Sequence, residues 1–266
     1  MTRKENLRWL SLLPLCPLLY YGAYFTLRGP RPANPQVIAH RGGPVYAPEN
    51  TLAAFKYAIE MHVDWLEMDL RQTKDGQLVV IHDASVDRTT NGSGLVKELT
   101  LAQIRALDAG DGEQIPTFEE VLALVQGSNV GLLPELKAAG MERELLQLLK
   151  AAEYTQRTLV QSFSAQTLET LQTLNPEIQV CRLYGIKVLN LPQPESAHYL
   201  APPAEAVLLN PWQIRQAHAA DHQVFVWSGG LEHPLILRVL LALGVDGLMV
   251  NDPLPLLEIL SADCAD

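Results

Sequence analysis

A closed barrel of parallel strands alternating with helices, (β/α)8 in type, is the fold class the sequence predicts. Three observations predict it. Short apolar strand-like runs alternate with helical patterns along most of the chain, which implies a largely parallel sheet. About eight such strands can be counted, the number that closes a barrel, and 266 residues suit one domain of that size. Residues able to do chemistry fall at the C-terminal ends of the runs, at His40-Arg41, Glu135-Leu136-Lys137, Ser162 and Trp227-Ser228. That is the face where catalytic residues gather in this architecture. A distortion is expected at the second and third strands, where the alternation gives way to a hairpin.

Residues 7–27, LRWLSLLPLCPLLYYGAYFTL, precede the barrel. About 20 mostly apolar residues suffice to span a bilayer, so the run reads as a membrane anchor, with Trp9, Tyr20, Tyr21 and Tyr24 as interfacial aromatics. A cleaved signal peptide is the rival, although its apolar region is usually shorter and ends in a small-residue site. A core helix is the third reading, disfavoured because the barrel looks complete without it. Residues 28–36 hold three prolines and read as a stiff linker. The expected division is therefore 1–36, anchor or signal with linker, and 37–266, barrel domain. The barrel domain is expected outside the cytoplasm, membrane-anchored, or secreted or periplasmic after cleavage. An anchor joined to the base of the first strand would leave the barrel mouth facing away from the bilayer.

Within the domain, VIAH is the first strand and Asn50 the expected cap of the helix TLAAFKYAIEMH. Glu49, just before it, either faces the site or favours the helix N-terminus through the dipole. DWLEMDLRQT and QLVVIH flank Asp75-Gly76, a strong tight-turn signal. A two-residue hairpin centred there would set Asp69 directly across from His82. From Asp83 to Pro116 a connection with the polar turn TTNGSG and a short helix, LTLAQIRALD, reads as a small cap over the mouth. FEEVLALV is a helix capped by Thr117, GLLPELK a strand, RELLQLLKAAEY a helix, TLVQSF a strand, SAQTLETLQTL a helix and VCRLYG a strand. Residues 186–203, rich in proline and polar groups, read as loop. AVLLN as strand, WQIRQAHAADH as helix, VFVWS as strand, PLILRVLLALG as helix and GLMVN as strand complete the pattern.

Glu67 and Asp69 lie two apart in a strand, so both project from one face while Leu66, Met68 and Leu70 pack on the other. A buried carboxylate pair repels itself unless a cation lies between the two groups. Hard divalent cations such as Mg²⁺ or Ca²⁺ supply that charge through oxygen ligands. Glu135 and Lys137 alternate on another strand in the same way. His40 and His82 each end an apolar run beside these carboxylates. The remaining histidines lie in helix ends or loops and are assigned nothing.

HRG, PENT, the E-x-D pair, HD followed by DRTTNGSG, LLPELK, IPTFEEVL, QSF, VFVW and GVDG occur in that order from residue 37 to about 258. This dispersed set resembles the glycerophosphodiester phosphodiesterase family. The resemblance implies the same barrel, with a segment inserted over its mouth. It also implies metal-dependent hydrolysis of glycerophosphodiesters to sn-glycerol 3-phosphate and an alcohol. Such hydrolysis needs charge neutralisation at phosphorus, an activated nucleophile and a proton for the leaving alkoxide. Glu67, Asp69 and Glu135 would hold the divalent cation, Mg²⁺ or Ca²⁺. Arg41 and Lys137 would bind phosphate, Trp227 would wall the substrate, and His40 and His82 would transfer protons, with the base undecided. The sequence departs from the common tryptophan-threonine pattern at Trp227-Ser228-Gly229-Gly230. It departs again near the last strand, where Val250-Asn251-Asp252 replaces threonine-aspartate.

Composition narrows the partners. A net charge of −10 argues against nucleic acid. Cys16, Cys181 and Cys264 lack metal-ligand spacing and are too scattered for a disulfide framework. Two other functions remain open on the sequence: a membrane-associated lysophospholipase D using the same chemistry, and a catalytically silent binding protein that keeps the barrel.

Overall fold

The computed structural model describes residues 15–185 and 196–263. Among them nine strands form one sheet. They are β1 (Gln36–Ala39), β2 (Trp65–Gln72), β3 (Leu78–Val80), β4 (Gly131–Leu136), β5 (Leu159–Ser162), β6 (Gln179–Leu183), β7 (Tyr199–Ala201), β8 (Gln223–Trp227) and β9 (Gly247–Val250). The order β1-β9-β8-β7-β6-β5-β4-β2-β3, closed by the pairing of β1 with β2, makes a barrel of parallel strands with β3 as an antiparallel extra. The expected (β/α)8 class and its distortion at strands 2 and 3 are both present.

That distortion assembles the mouth. β1 stays paired to β2 only through Ile38 and Ala39, then turns away at His40. β2 runs on for several residues, and from Leu70 its vacated edge is taken by β3. His40, ending β1, and His82, just past β3, are thereby delivered to the same edge of β2, the strand that carries Glu67 and Asp69. The hairpin register differs from the expected one. Leu70 pairs with Val80, and the Ile81 amide donates to the Asp69 carbonyl, so Asp69 lies opposite Ile81 rather than His82. The cause is the turn: Thr73 N–H bonds the Gln77 carbonyl, leaving Lys74, Asp75 and Gly76 in a three-residue loop. Gly76 has φ +85°, the left-handed conformation such loops require at their last position.

The helices are α1 (Leu15–Leu27), α2 (Leu52–Glu60), α3 (Leu101–Arg105), α4 (Phe118–Val125), α5 (Glu142–Ala151), α6 (Ala165–Leu174), α7 (Ala204–Leu209), α8 (Trp212–Ala219), α9 (Pro234–Leu243) and α10 (Pro253–Asp263). Thr51, not Asn50, caps α2, its hydroxyl accepting the Ala54 amide; Asn50 is diverted into the site. Thr117 caps α4 as expected and forms a reciprocal capping box with Glu120. Two expectations late in the chain are corrected. The sixth barrel strand, β7, is Tyr199–Ala201, inside the stretch expected to be loop, and AVLLN belongs to helix α7. A strand of three residues followed by Pro202-Pro203 is too short to show a period. The prolines also fix the backbone for a helix start, which overrides the apolar run after them. Residues 186–195 of the expected loop lie outside the described residues.

The side chains of Leu66, Met68 and Leu70 pack against the helices, as the alternation requires, while Ile38, Leu133, Leu159, Cys181, Phe225 and Met249 fill the barrel interior. α1 docks on the base of the barrel. Tyr24 is buried, its ring edge-on to Trp212 at 5.4 Å, and its hydroxyl donates to the Leu243 carbonyl at the end of α9. Tyr21 donates to the Leu208 carbonyl and Tyr20 to the Asn210 side-chain oxygen, 3.0 Å. These tyrosines, expected at a membrane interface, instead satisfy polar groups where barrel helices end. No helix among the described residues is long and apolar enough to cross a membrane; residues 7–14 of the expected anchor lie outside them.

Candidate active site

The site begins with a strained turn. Arg41 has φ +51° and ψ +29°, a left-handed conformation uncommon for a residue with a side chain. Two hydrogen bonds hold it there: its N–H donates to Glu67 Oε2 at 2.8 Å and its carbonyl accepts the Asn50 amide at 2.9 Å. Gly42 follows at φ +81°, where a Cβ would come within 2.8 Å of the Phe55 ring. The HRG turn is thus pressed against α2 with no room for a side chain at its glycine. His40 is left at the rim of the barrel.

Beneath it lie the carboxylates. Glu67, Asp69 and Glu135 are 1%, 1% and 7% exposed. Each offers an oxygen, and the three lie within 4.8 Å of one another. Asp69 and Glu135 are register partners on β2 and β4, which is why residues so far apart in sequence converge. Lys137 Nζ is 3.2 Å from Asp69 Oδ1 and 3.0 Å from Glu135 Oε1, and Arg41 Nε is 3.5 Å from Asp69 Oδ2. Burial, then the charge of Asp69, push the Glu67 carboxyl well above the usual carboxylate range. Burial also raises Glu135, with Lys137 offsetting part of the rise. For Asp69 burial is outweighed by Lys137, Arg41, His82 and the Asn50 amide, and the carboxyl is held low. Three converging buried carboxylates form a hard-oxygen donor set, and a divalent cation fits it.

His40 Nδ1 is 2.7 Å from Asn251 Oδ1, and its Nε2 is 3.9 Å from Glu67 Oε2. Burial, followed by the charge of Arg41, lowers the His40 pKa. His82 Nδ1 is 2.6 Å from Asp83 Oδ1. Arg88, then His82, hold the Asp83 carboxyl well below the usual range. Arg88 also bonds Glu49 through both terminal nitrogens, 2.7 and 3.0 Å, and Glu49 accepts from Arg41 at 2.9 Å. Burial alone would raise Glu49, but these ion pairs keep it low. Glu49 does not line the cavity but contacts the site through Arg41, and the chain His82–Asp83–Arg88–Glu49–Arg41 ties the inserted segment to the carboxylate cluster.

The cavity above the cluster has a volume of about 370 Å³. His40, Arg41, His82, Lys137 and the carboxylates line one side; Phe163, Leu183, Trp227 and Met249 line the other. All eight residues expected at the site are brought together here. Trp227 is fixed by its indole N–H, which donates to the Tyr184 carbonyl at 3.2 Å. Ser162 is not at the chemistry; its hydroxyl donates to the Leu136 carbonyl. Sequence reasoning missed four residues. Asn50 donates to Asp69 Oδ2 at 2.9 Å, Gln161 donates to Glu67 Oε1 at 2.9 Å, and Asn251 and Glu232 form the support of His40. Gln161 sits beside Glu135 on β5, so strand register could have pointed to it; the others have no local signal.

A parallel barrel whose C-terminal mouth carries two histidines and an acidic cluster able to hold a cation has the makings of a hydrolase. The sequence matches the Glycerophosphoryl diester phosphodiesterase family over residues 40–254. The chain belongs to that family, which consists of phosphoric diester hydrolases. It is 34% identical over 242 residues to a glycerophosphodiester phosphodiesterase of Caldanaerobacter subterraneus subsp. tengcongensis, covering 84% of this chain and 96% of that one. Among solved structures it resembles the glycerophosphodiester phosphodiesterase of Agrobacterium tumefaciens, with TM-score 0.75 and 29% identity over 85% of this chain and 100% of the other. It also resembles an Oleispira antarctica phosphodiesterase solved in complex with the product sn-glycerol-3-phosphate. There the TM-score is 0.76 and the identity 28%, over 86% and 97% of the two chains.

Proposed function

We propose that this protein hydrolyses glycerophosphodiesters to sn-glycerol 3-phosphate and an alcohol, with His40 as base and His82 as acid. The observation that carries the reading is the different backing of the two histidines. Each has its Nδ1 occupied by a neighbouring side chain, which leaves Nε2 for the substrate. Behind His40 is the neutral amide of Asn251; behind His82 is the carboxylate of Asp83. A neutral oxygen supports an uncharged ring that accepts a proton. An ionised carboxylate stabilises the positive charge of a ring that holds one to give. His40 takes the proton of the attacking oxygen as the new P–O bond forms, and His82 protonates the departing alkoxide as the old one breaks. Arg41 and Lys137 set positive charge at the phosphoryl oxygens, and the apolar side, with Trp227 and Phe163, receives carbon portions of the substrate.

Glu67, Asp69 and Glu135 would hold a divalent cation, Mg²⁺ or Ca²⁺, and such an ion supplies charge neutralisation at the phosphoryl oxygens when bound. Because Glu67 is raised, it carries a proton up to a higher pH than an ordinary carboxyl, and that proton competes with the cation. Cation affinity should therefore fall as pH falls through the raised Glu67 value, and binding at a pH where Glu67 is still protonated should release that proton. Calorimetry in two buffers of different ionisation enthalpy measures the release. Identical heats in both buffers would contradict the linkage.

We further propose that a soluble diester is preferred to a lysolipid. α1 docks at the end of the barrel opposite His40, so a membrane contact made at that end would place the mouth away from the bilayer. The division at residue 36 and the extracytoplasmic location rest on the pattern of residues 7–27. With full-length protein on vesicles, kcat/KM should be higher for glycerophosphocholine than for lysophosphatidylcholine, and the protein should sediment with the vesicles after a carbonate wash. A clear preference for the lysolipid would favour a lysophospholipase D. Recovery of a soluble form beginning after residue 22 would favour cleavage.

A further inference from the structure

The two places where the sequence departs from the common family pattern, Ser228 and Asn251, meet in space at a third residue, Glu232. Glu232 lies in the loop between β8 and α9, and its carboxylate is surrounded by donors. Oε1 accepts from the Ser228 hydroxyl at 2.6 Å, the Asn251 backbone N–H at 2.8 Å and the Asn251 side-chain amide at 2.9 Å. Oε2 accepts from the Asp252 backbone N–H at 3.0 Å.

A carboxylate can only accept hydrogen bonds, so the amide of Asn251 must present its Nδ2 to Glu232. Its Oδ1 is then the atom that faces His40 Nδ1, at 2.7 Å. An amide oxygen is likewise only an acceptor, so Nδ1 of the imidazole must carry the hydrogen. In the neutral ring Nε2 then has a free lone pair, on the side toward Glu67 and the cavity. Both polarities are set by groups of the protein itself, and neither depends on a bound ion.

We propose that Glu232 is a positioning residue that, through Asn251, locks His40 as the Nδ1–H tautomer with its Nε2 lone pair in the site. Glu232 touches no substrate; it sets which way the Asn251 amide points. Ser228 contributes by holding the Glu232 carboxylate against the end of β8. The loop Gly229-Gly230 belongs to the same device: Gly229 has φ +59° and Gly230 φ +92°, conformations that turn the chain tightly enough for Glu232 to reach back to Ser228. The two sequence departures are thus one compensated unit, and His40 keeps an acceptor behind it by way of an asparagine. The use made of this tautomer in catalysis rests on the base role assigned to His40 above; the tautomer itself does not.

The test is a long-range ¹H–¹⁵N correlation spectrum of the ¹⁵N-labelled full-length protein at about pH 8, where imidazoles are neutral. The His40 signals are assigned by their disappearance in His40→Gln. The wild-type ring should show a protonated Nδ1 and an unprotonated Nε2. Glu232→Ala and Asn251→Ala should each move it toward a mixture of tautomers, whereas Glu232→Gln, which keeps an acceptor oxygen for Asn251, should restore the wild-type pattern. In parallel kcat should fall by roughly tenfold to hundredfold in both alanine variants, the scale seen when partners that orient a functional histidine are removed, with KM changing far less. If Glu232→Ala does not fold, Asn251→Ala carries the comparison. A wild-type ring protonated at Nε2, or an Nδ1–H tautomer that persists in the alanine variants, would overturn the proposal. A tautomer that responds as expected in a protein with no diester hydrolysis would leave it standing and refute the base role instead.

Discussion

Replacing Asp69 by asparagine is expected to reduce phosphodiester turnover by roughly 10³-fold or more, because charge stabilisation of a phosphoryl transition state is worth several kcal/mol and each 1.36 kcal/mol is tenfold in rate. Asp69 is where the site's charges converge. Lys137, Arg41 and the Asn50 amide all address its oxygens, and one of its oxygens lies within 4.8 Å of ligand atoms on Glu67 and Glu135. Asparagine removes one negative charge and turns a donor toward a donor, so cation binding should weaken together with activity. Chelation of wild-type protein should reproduce the loss, and added Mg²⁺ or Ca²⁺ should reverse it. The fold should persist in the variant, because the core around β2 is made by Leu66, Met68 and Leu70 on the opposite face. Circular dichroism and thermal unfolding separate the two effects. Full activity in exhaustively chelated protein would remove the cation from the account.

His40→Ala and His82→Ala should each lower kcat by roughly 10²-fold or more, the usual contribution of a general acid or base. Cation affinity should change much less than in the Asp69 variant, since neither ring is among the clustered carboxylates. The two losses should differ with substrate. His82→Ala should be rescued by a substrate with a good leaving group, such as a nitrophenyl diester, because a stable phenolate needs no proton. His40→Ala should not. Equal rescue of both would exchange or dissolve the assigned roles. The pH profile carries a second sign. His40 must be neutral to accept a proton, and its pKa is lowered. The acid limb of kcat/KM that belongs to His40 should therefore lie below the ordinary histidine value of about 6.5.

The parts of the site that sequence exposes are those with a local signature. Glu67 and Asp69 break an otherwise apolar strand at a spacing of two, and Glu135 and Lys137 repeat the device on a neighbouring strand. His40 and His82 terminate apolar runs. In each case a costly group stands where only function or a compensating charge explains it. The supporting residues carry no such mark. Asn50 looks like a helix cap, and its diversion to Asp69 depends on Thr51 taking the cap instead. Gln161 needs the β4–β5 register, and Glu232 needs the folding back of a loop onto Ser228 and Asn251. These are contacts between distant segments, which no window of sequence contains.

The fold shows the same division. Long amphipathic elements and the Thr117 cap are readable, whereas the three-residue strand β7 and the one-residue difference in the β2–β3 hairpin are not. Asp75-Gly76 suits both a two-residue and a three-residue turn, and only the Thr73–Gln77 hydrogen bond selects the second. The tyrosines of α1 are ambiguous for a related reason. An aromatic ring with a polar tip suits a bilayer interface and a helix terminus equally, and here the carbonyls of Leu208 and Leu243 claim two of them.

The most direct measurement is product analysis of glycerophosphocholine hydrolysis by the full-length protein with Mg²⁺ or Ca²⁺ supplied. The account predicts sn-glycerol 3-phosphate and choline in equal amounts, with formation stopped by chelation and strongly reduced in the Asp69, His40 and His82 variants. Phosphocholine and glycerol as products, or no turnover of any glycerophosphodiester with the cation present, would contradict it.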